Sequence, residues 1–197
     1  CRDRTPVRSE IKSNKTRNGQ KSIPYKSIQY FYPLIIENLQ SIFPSKQKIL
    51  LQNIMNITIE THTIALNSKG DCDIINITNK VNEVIRENNF TEGNVLLFVP
   101  GSTASITSIE YEPGLLKDYP NFFEKIIPKD QNYQHDDTWH DGNGHSHVRA
   151  SLQGPSFTVP FKNKSLILGT WQQIIFVDFG NRARSREIIV QLTGIKE

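Results

Sequence analysis

From Met55 the stretch "MNITIETHTIAL" alternates apolar and polar side chains, the period of a half-buried strand. The spacing then changes. In "DIINITNKVNEVIRENN" Ile77, Val81, Val84 and Ile85 recur three and four residues apart, which predicts an amphipathic helix. "NVLLFVP" is a short apolar run closed by Pro100 and Gly101 and predicts a buried strand, with "SITSIE" expected to return as its neighbour. Pro113 and Gly114 open a helical region, "LLKDYPNFFEKIIP", expected to break at Pro120. Further on, "SFTVPF", "SLILGT", "QQIIFVDF" and "REIIVQL" read as strands, and Asn163–Lys164 suits a hairpin turn. Many strands, two or three helices and no regular βαβ alternation predict an α+β domain.

Composition narrows the class. With 37% hydrophobic and 22% charged residues in 197, the chain reads as globular and soluble, with no apolar run long enough to span a membrane. Two cysteines, Cys1 and Cys72, form no disulfide framework, and the first residues lack the apolar stretch of a signal peptide. The expectation is therefore a cytoplasmic protein. Net charge is +3 but unevenly placed. Residues 1–54 carry ten Lys/Arg against three Asp/Glu, whereas residues 55–197 carry thirteen against seventeen. The larger part thus has no basic bias towards nucleic acid. The only methionine, Met55, falls where the charge changes sign. Residues 1–54 are read either as upstream-translated sequence ahead of a start at Met55, the preferred reading, or as a basic, poorly ordered extension with a short helix near "YFYPLIIENLQSIF". Residues 55–197 are then the domain.

The chemistry concentrates in "YQHDDTWHDGNGHSHVRASLQGPS", which holds four of the five histidines. "HVRASLQG" reads as a short helix stopped by Gly154 and Pro155, with Asn143 able to cap it. Its N-terminal N–H groups and partial positive charge suit a phosphate or carboxylate, and Gly144 allows close approach. If the segment is extended, His145 and His147 share a face and form a metal-ligand pair with Asp141 or His135 as further ligands. If it is helical, they point about 200° apart. Solvent-facing histidines, and a proton donor beside a bound anion, are the other readings. Trp139 and Trp171 suit a core, a subunit interface or an aromatic wall. Arg182, Arg184 and Arg186 could grip a diphosphate, but an exposed hairpin is the preferred reading.

"FVPGSTASITSIEYEPG", "HDDTWHDGNGHSHVRASLQGPSFTVPF", "LILGTWQQIIFVDF" and "RSREIIVQL" together resemble successive blocks of the YjbQ-like family, often labelled secondary thiamine-phosphate synthase. The resemblance runs from about Met55 to the C-terminus. It implies a compact α+β sandwich of mostly antiparallel strands, assembled as a homotrimer with clefts between subunits. Carried over position by position, the family's polar constellation falls on Thr103, Ser105, Glu110, Asp141, Asn143, His145, His147, Gln172 and Gln173. Bacterial members commonly have a histidine where this chain has Gly101. The implied activity is a transferase joining a pyrimidine diphosphate to a thiazole phosphate. The expected catalytic residues are His147, His145, Asp141 and Glu110. Thr103, Ser105, Asn143, Gly144, Gln172 and Gln173 are expected to hold the ligand, a small phosphorylated molecule. A divalent metal, Mg²⁺ or Zn²⁺, is an expected cofactor on His145, His147 and Asp141. A metal-assisted hydrolase and a non-catalytic metal or phosphometabolite binder use the same residues.

Overall fold

A computed structural model describes residues 57–197. The expectations for residues 1–54 and the start of the strand at Met55 lie outside these residues. Two antiparallel sheets form the frame. The larger takes the order β1 (Ile57–Ser68), β8 (Arg184–Lys196), β3 (Phe90–Phe98), β5 (Ser156–Lys162), β6 (Ser165–Leu166). The smaller is β2 (Asp73–Asn76), β7 (Gln173–Asp178), β4 (Ala104–Ile109). Four helices complete the described residues: α1 (Thr78–Glu87), α2 (Leu115–Ile126), α3 (Gln134–Trp139) and α4 (Gly144–Gln153).

The alternation in the sequence translates into layers. Ile64 and Leu66 of β1, Val95 and Leu97 of β3, and Ile188, Val190 and Leu192 of β8 turn inward. They meet Ala104 and Ile106 of β4 and Ile174 and Phe176 of β7. Strand β7 is buried on both faces, so its run of apolar residues is unbroken. Its other face, Ile175 and Val177, joins Phe123, Ile127 and Ala150 in a second core under α2 and α4. The small sheet is therefore a middle layer between the large sheet and these two helices. Val81 and Ile85 of α1, with Ile77 at its cap, seal the first core, as their spacing predicts. Gly93 and Gly194 face one another across β3 and β8, and a Cβ on Gly93 would stand 2.2 Å from the Thr193 carbonyl oxygen, so only glycine fits.

Three local expectations are corrected. Strand β4 does not pair with β3; it pairs with β7 in the other sheet, because Pro100–Ser102 carry the chain from one layer to the next. The α2 helix runs through Pro120. Proline removes one N–H, but Tyr119 and Phe123 on either side are anchored in the second core and hold the turn together. "SLILGT" is a strand only at Ser165–Leu166, since the chain turns at Gly169, where the Gln172 N–H returns to the Gly169 carbonyl at 2.9 Å. The short strand β2 and the one-and-a-half-turn α3 carry no clear period of their own and were not expected. Asn163 and Lys164 do form the hairpin turn, both with positive φ (53° and 60°). Among the described residues no helix is long and apolar enough to cross a membrane.

Candidate functional site

One end of the layered structure gathers the polar groups. The β3–β4 loop, the β7–β8 turn and the α3–α4 loop meet there. Asn181 on the β7–β8 turn donates to the Asp141 backbone carbonyl at 2.7 Å, tying two of these loops together. His140 (φ 55°) and Gly142 (φ 62°) make the sharp reversal that brings α3 back over α4.

The segment around the last two histidines is helical, so His145 and His147 point apart. His145 is 2% exposed; its Nε2 lies 3.2 Å from Ser146 Oγ and its ring packs against Tyr133. Burial, with the nearby Arg149 and Lys129 charges, holds its imidazole below the ordinary value, so it is neutral at neutral pH. His147 faces the other way, half-buried, its ring centroid 4.3 Å from that of His135. The His135 Nε2 lies 3.8 Å from an Asp141 carboxylate oxygen. Burial, His135 and Arg184 lower the His147 pKa, while Asp141 works against them. The cluster that forms is thus His135, His147 and Asp141, with Arg184 nearby. His135 entered the sequence reading only as a further metal ligand.

This geometry does not suit the expected metal set. His145 and His147 do not converge, and among the described residues no group of three His, Cys, Asp or Glu could hold a metal ion. Glu110 and Asp141 lie at opposite ends of the middle sheet and cannot share a cation within one chain.

The helix start is also partly taken. The Gly144 N–H donates to Asp136 Oδ1 at 2.9 Å, and the Ser146 and His147 N–H groups return to the Asn143 carbonyl. Of the first N–H groups, that of His145 is the one accepted by no described residue. Asn143 sits at the cap position, but its side chain reaches Asp141 Oδ2 at 2.7 Å rather than the helix. Its Oδ1 is buried without a partner among the described residues. Gly144 has a packing reason: a Cβ there would stand 2.3 Å from Tyr133 Cβ, so it does not open onto a ligand.

The other expected residues divide into two groups. Thr103 is buried at the cluster end, accepting from Arg186 Nη2 at 2.9 Å. Ser105 is fully buried in β4, and its hydroxyl has no partner among the described residues. Glu110, Gln172 and Gln173 lie at the far end of β4 and β7. There Gln172 Nε2 donates to Ser108 Oγ at 2.8 Å, and Gln173 Oε1 accepts the Tyr111 N–H at 2.8 Å. The tryptophans are not core residues; Trp139 and Trp171 are 69% and 70% exposed.

Two residues behind the cluster were missed or misread. Asp178, fully buried, accepts from Arg186 Nε (2.8 Å), Arg186 Nη2 (2.6 Å), the Gly180 N–H (2.9 Å) and the Ser68 hydroxyl. Burial alone would raise its pKa, but these donors outweigh burial and hold it below the usual carboxylate value. Arg186 is therefore an internal ion-pair partner and not part of an exposed hairpin; only Arg182 fits that description. "FVDFG" reads as an ordinary strand end, which gave no signal for Asp178.

The fold and this end-of-sandwich cluster define an antiparallel α+β protein with a histidine–aspartate–arginine site at the junction of three loops. A model of the family described as UPF0047 protein YjbQ-like matches residues 62–195. The chain belongs to that family. A UPF0047 protein of Archaeoglobus fulgidus is 36% identical over 128 residues, covering 65% of this chain and 97% of the relative. UPF0047 protein YugU of Bacillus subtilis is 32% identical over 134 residues, covering 67% and 98%. Among solved structures, a YbjQ-like protein of unknown function from Sulfolobus solfataricus superimposes with a TM-score of 0.66 at 26% identity, covering 70% of this chain and 99% of that one. An uncharacterized conserved protein of the yjbq/upf0047 family from Clostridium acetobutylicum gives 0.61 at 34% identity, covering 66% and 98%.

Proposed function

We propose that the protein is a cytoplasmic transferase that displaces diphosphate from a pyrimidine methylene with the ring nitrogen of a thiazole phosphate, in a site shared between the copies of a homotrimer. In that reaction the nitrogen lone pair forms the new C–N bond, and the C–O bonding pair leaves with the diphosphate. The observation that supports it most directly is the His147–His135–Asp141 cluster beside the start of α4. The His145 N–H, accepted by no described residue, offers a phosphate oxygen a donor at the positive end of a helix. His147, poised below its ordinary pKa and ringed by ionisable groups, exchanges a proton with the departing diphosphate or its water. Asp141 orients the imidazole pair. No step is routed through a protein-held metal.

The shared site follows from distance. Seven residue steps along β4 and its two flanking residues separate Thr103 from Glu110, roughly 23 Å at about 3.3 Å per residue, too far for one small ligand. A second copy can bring its Glu110–Gln172–Gln173 end to the first copy's histidines. Ile57, Ile59, Leu96, Phe98 and Ile195 form an exposed apolar face on the outside of the large sheet, a surface suited to such a contact.

The test combines steady-state kinetics, using a pyrimidine diphosphate and a thiazole phosphate, with the mass of the particle in solution. Turnover by a trimer, abolished in His147→Ala, supports the reading. Binding of either compound without turnover replaces it with a phosphometabolite binder.

A further inference from the structure

A cavity of about 250 Å³ lies between the β1–β2 turn, α2 and α4, lined by Asp71, Cys72, Pro120, Glu124, Lys129 and Arg149 among others. Arg149 is 5% exposed, yet its guanidinium reaches this cavity, because Nη2 donates at 2.6 Å to the carboxylate of Glu124, itself a wall residue. Nε and Nη2 also donate to the Ile127 carbonyl at 2.9 and 2.6 Å, which commits one edge of the group. Nη1, on the other edge, has no acceptor among the described residues. The Cys72 thiol feels the same guanidinium: burial pushes its pKa up to about 12, and the Arg149 charge works against that rise. The thiol is therefore uncharged and forms the apolar part of the wall with Pro120. Lys129 Nζ donates to Asp71 Oδ1 at 2.7 Å, which leaves two ammonium N–H groups and Asp71 Oδ2 uncommitted among the described residues. Asp71 and Cys72 both hold left-handed backbone (φ 51° and 64°), and the Asp71 N–H donates to the Gly180 carbonyl at 2.6 Å, so tertiary contacts fix this wall.

We propose that this cavity binds a small zwitterion of the α-amino acid type, its carboxylate held by Arg149 Nη1 and Lys129 and its ammonium by Asp71. The uncommitted groups decide the ligand's chemistry. They are N–H donors on two cations and one acceptor oxygen on a carboxylate, the complement of a carboxylate with an ammonium beside it. Charge argues the same way. A bare anion meets Asp71 and Glu124, and a bare cation meets Arg149 and Lys129, so either is repelled, whereas adjacent opposite charges match the Lys129–Asp71 pair. The guanidinium is already immobilised by Ile127 and Glu124, so binding costs little side-chain entropy. The cavity is smaller than the roughly 300–1,000 Å³ of sites for drug-sized molecules, which limits the ligand to a short side chain against Cys72 and Pro120. The site rests on neither the transferase reading nor the histidine cluster, and none of the cluster's residues lines it.

The experiment titrates the isotopically labelled full chain with glycine, L-valine and two valine analogues: 3-methylbutanoate, which lacks the ammonium, and 2-methylpropan-1-amine, which lacks the carboxylate. The Arg149 guanidinium and the Asp71, Cys72 and Asn121 amide resonances report on the cavity. Valine is expected to move them saturably, and each analogue should bind at least about tenfold more weakly, the scale of one charge-assisted contact. Asp71→Asn keeps the left-handed turn, a conformation asparagine adopts readily. It should weaken valine binding by about three- to tenfold, the range from an exposed ion pair to a charge-assisted hydrogen bond, without weakening 3-methylbutanoate. Resonances that stay still with both glycine and valine at about 10 mM overturn the proposal. Either analogue binding as tightly as valine overturns it too, since the cavity then reads a single charge. Equal valine affinity in folded Asp71→Asn and wild type has the same force. Should Asp71→Asn not fold, the wild-type analogue series decides alone. Absence of transferase turnover leaves this result unaffected.

Discussion

Replacing Asp178 by Asn tests whether the buried ion pair anchors the site end of the fold. The side chain is fully buried and accepts four hydrogen bonds, two on each oxygen: Ser68 and Arg186 Nε on one, Gly180 N–H and Arg186 Nη2 on the other. An asparagine keeps one acceptor oxygen. Whichever way the amide is turned, its NH₂ meets an Arg186 donor, and the guanidinium, 12% exposed, loses its counter-charge. Breaking one partner of a buried ion pair costs about 3–5 kcal/mol. For a domain of this size each kcal/mol moves the midpoint by about 3–4 °C, so Asp178→Asn should lower Tm by on the order of 10–20 °C. Thermal unfolding followed by circular dichroism, with urea titration as a second measure, provides the assay. The double variant Asp178→Asn/Arg186→Met removes the stranded charge and should recover a large part of the loss. A fall in Tm of less than about 3 °C for the single variant would refute the anchoring role.

Gly144→Ala should destabilise the domain by about 1–3 kcal/mol through its 2.3 Å approach to the Tyr133 Cβ, read by urea midpoint; Tyr133→Ala, which keeps that Cβ, should not rescue it. His147→Ala should lower turnover by about a hundred- to ten-thousand-fold with little change in Tm, because its ring lies half-open beside His135; equal losses of turnover and stability would contradict this. The His145 and His147 pKa values are both depressed in the folded state, so the unfolded chain binds protons more readily around pH 6.5. Their contribution to stability is full above that pH and declines as pH falls through it, which a pH series of urea midpoints will show. His145→Gln should flatten part of that slope.

Much of the frame was legible in the chain. Alternation placed β1, helical spacing placed α1, and Asn163–Lys164 marked the β5–β6 hairpin, because each depends on side chains within a few residues of one another. The same locality put the histidines and aspartates together in one segment and indicated a helix start at Gly144. It also gave the geometry that then divided them: two residues along a helix turn His145 inward and His147 outward.

Locality could not show which strands pair or which faces meet. Strand β4 follows β3 in sequence but belongs to the other sheet, since the burial of Ala104 and Ile106 between the layers decides its place. Asp178 reads as the end of an apolar strand until Ser68, 110 residues earlier, and Arg186 close on its donors. The sequence by itself determined most of the longer elements and the segment where titratable groups concentrate. Tertiary structure alone decided which of those groups face one another, because packing across layers joins residues that no local period relates.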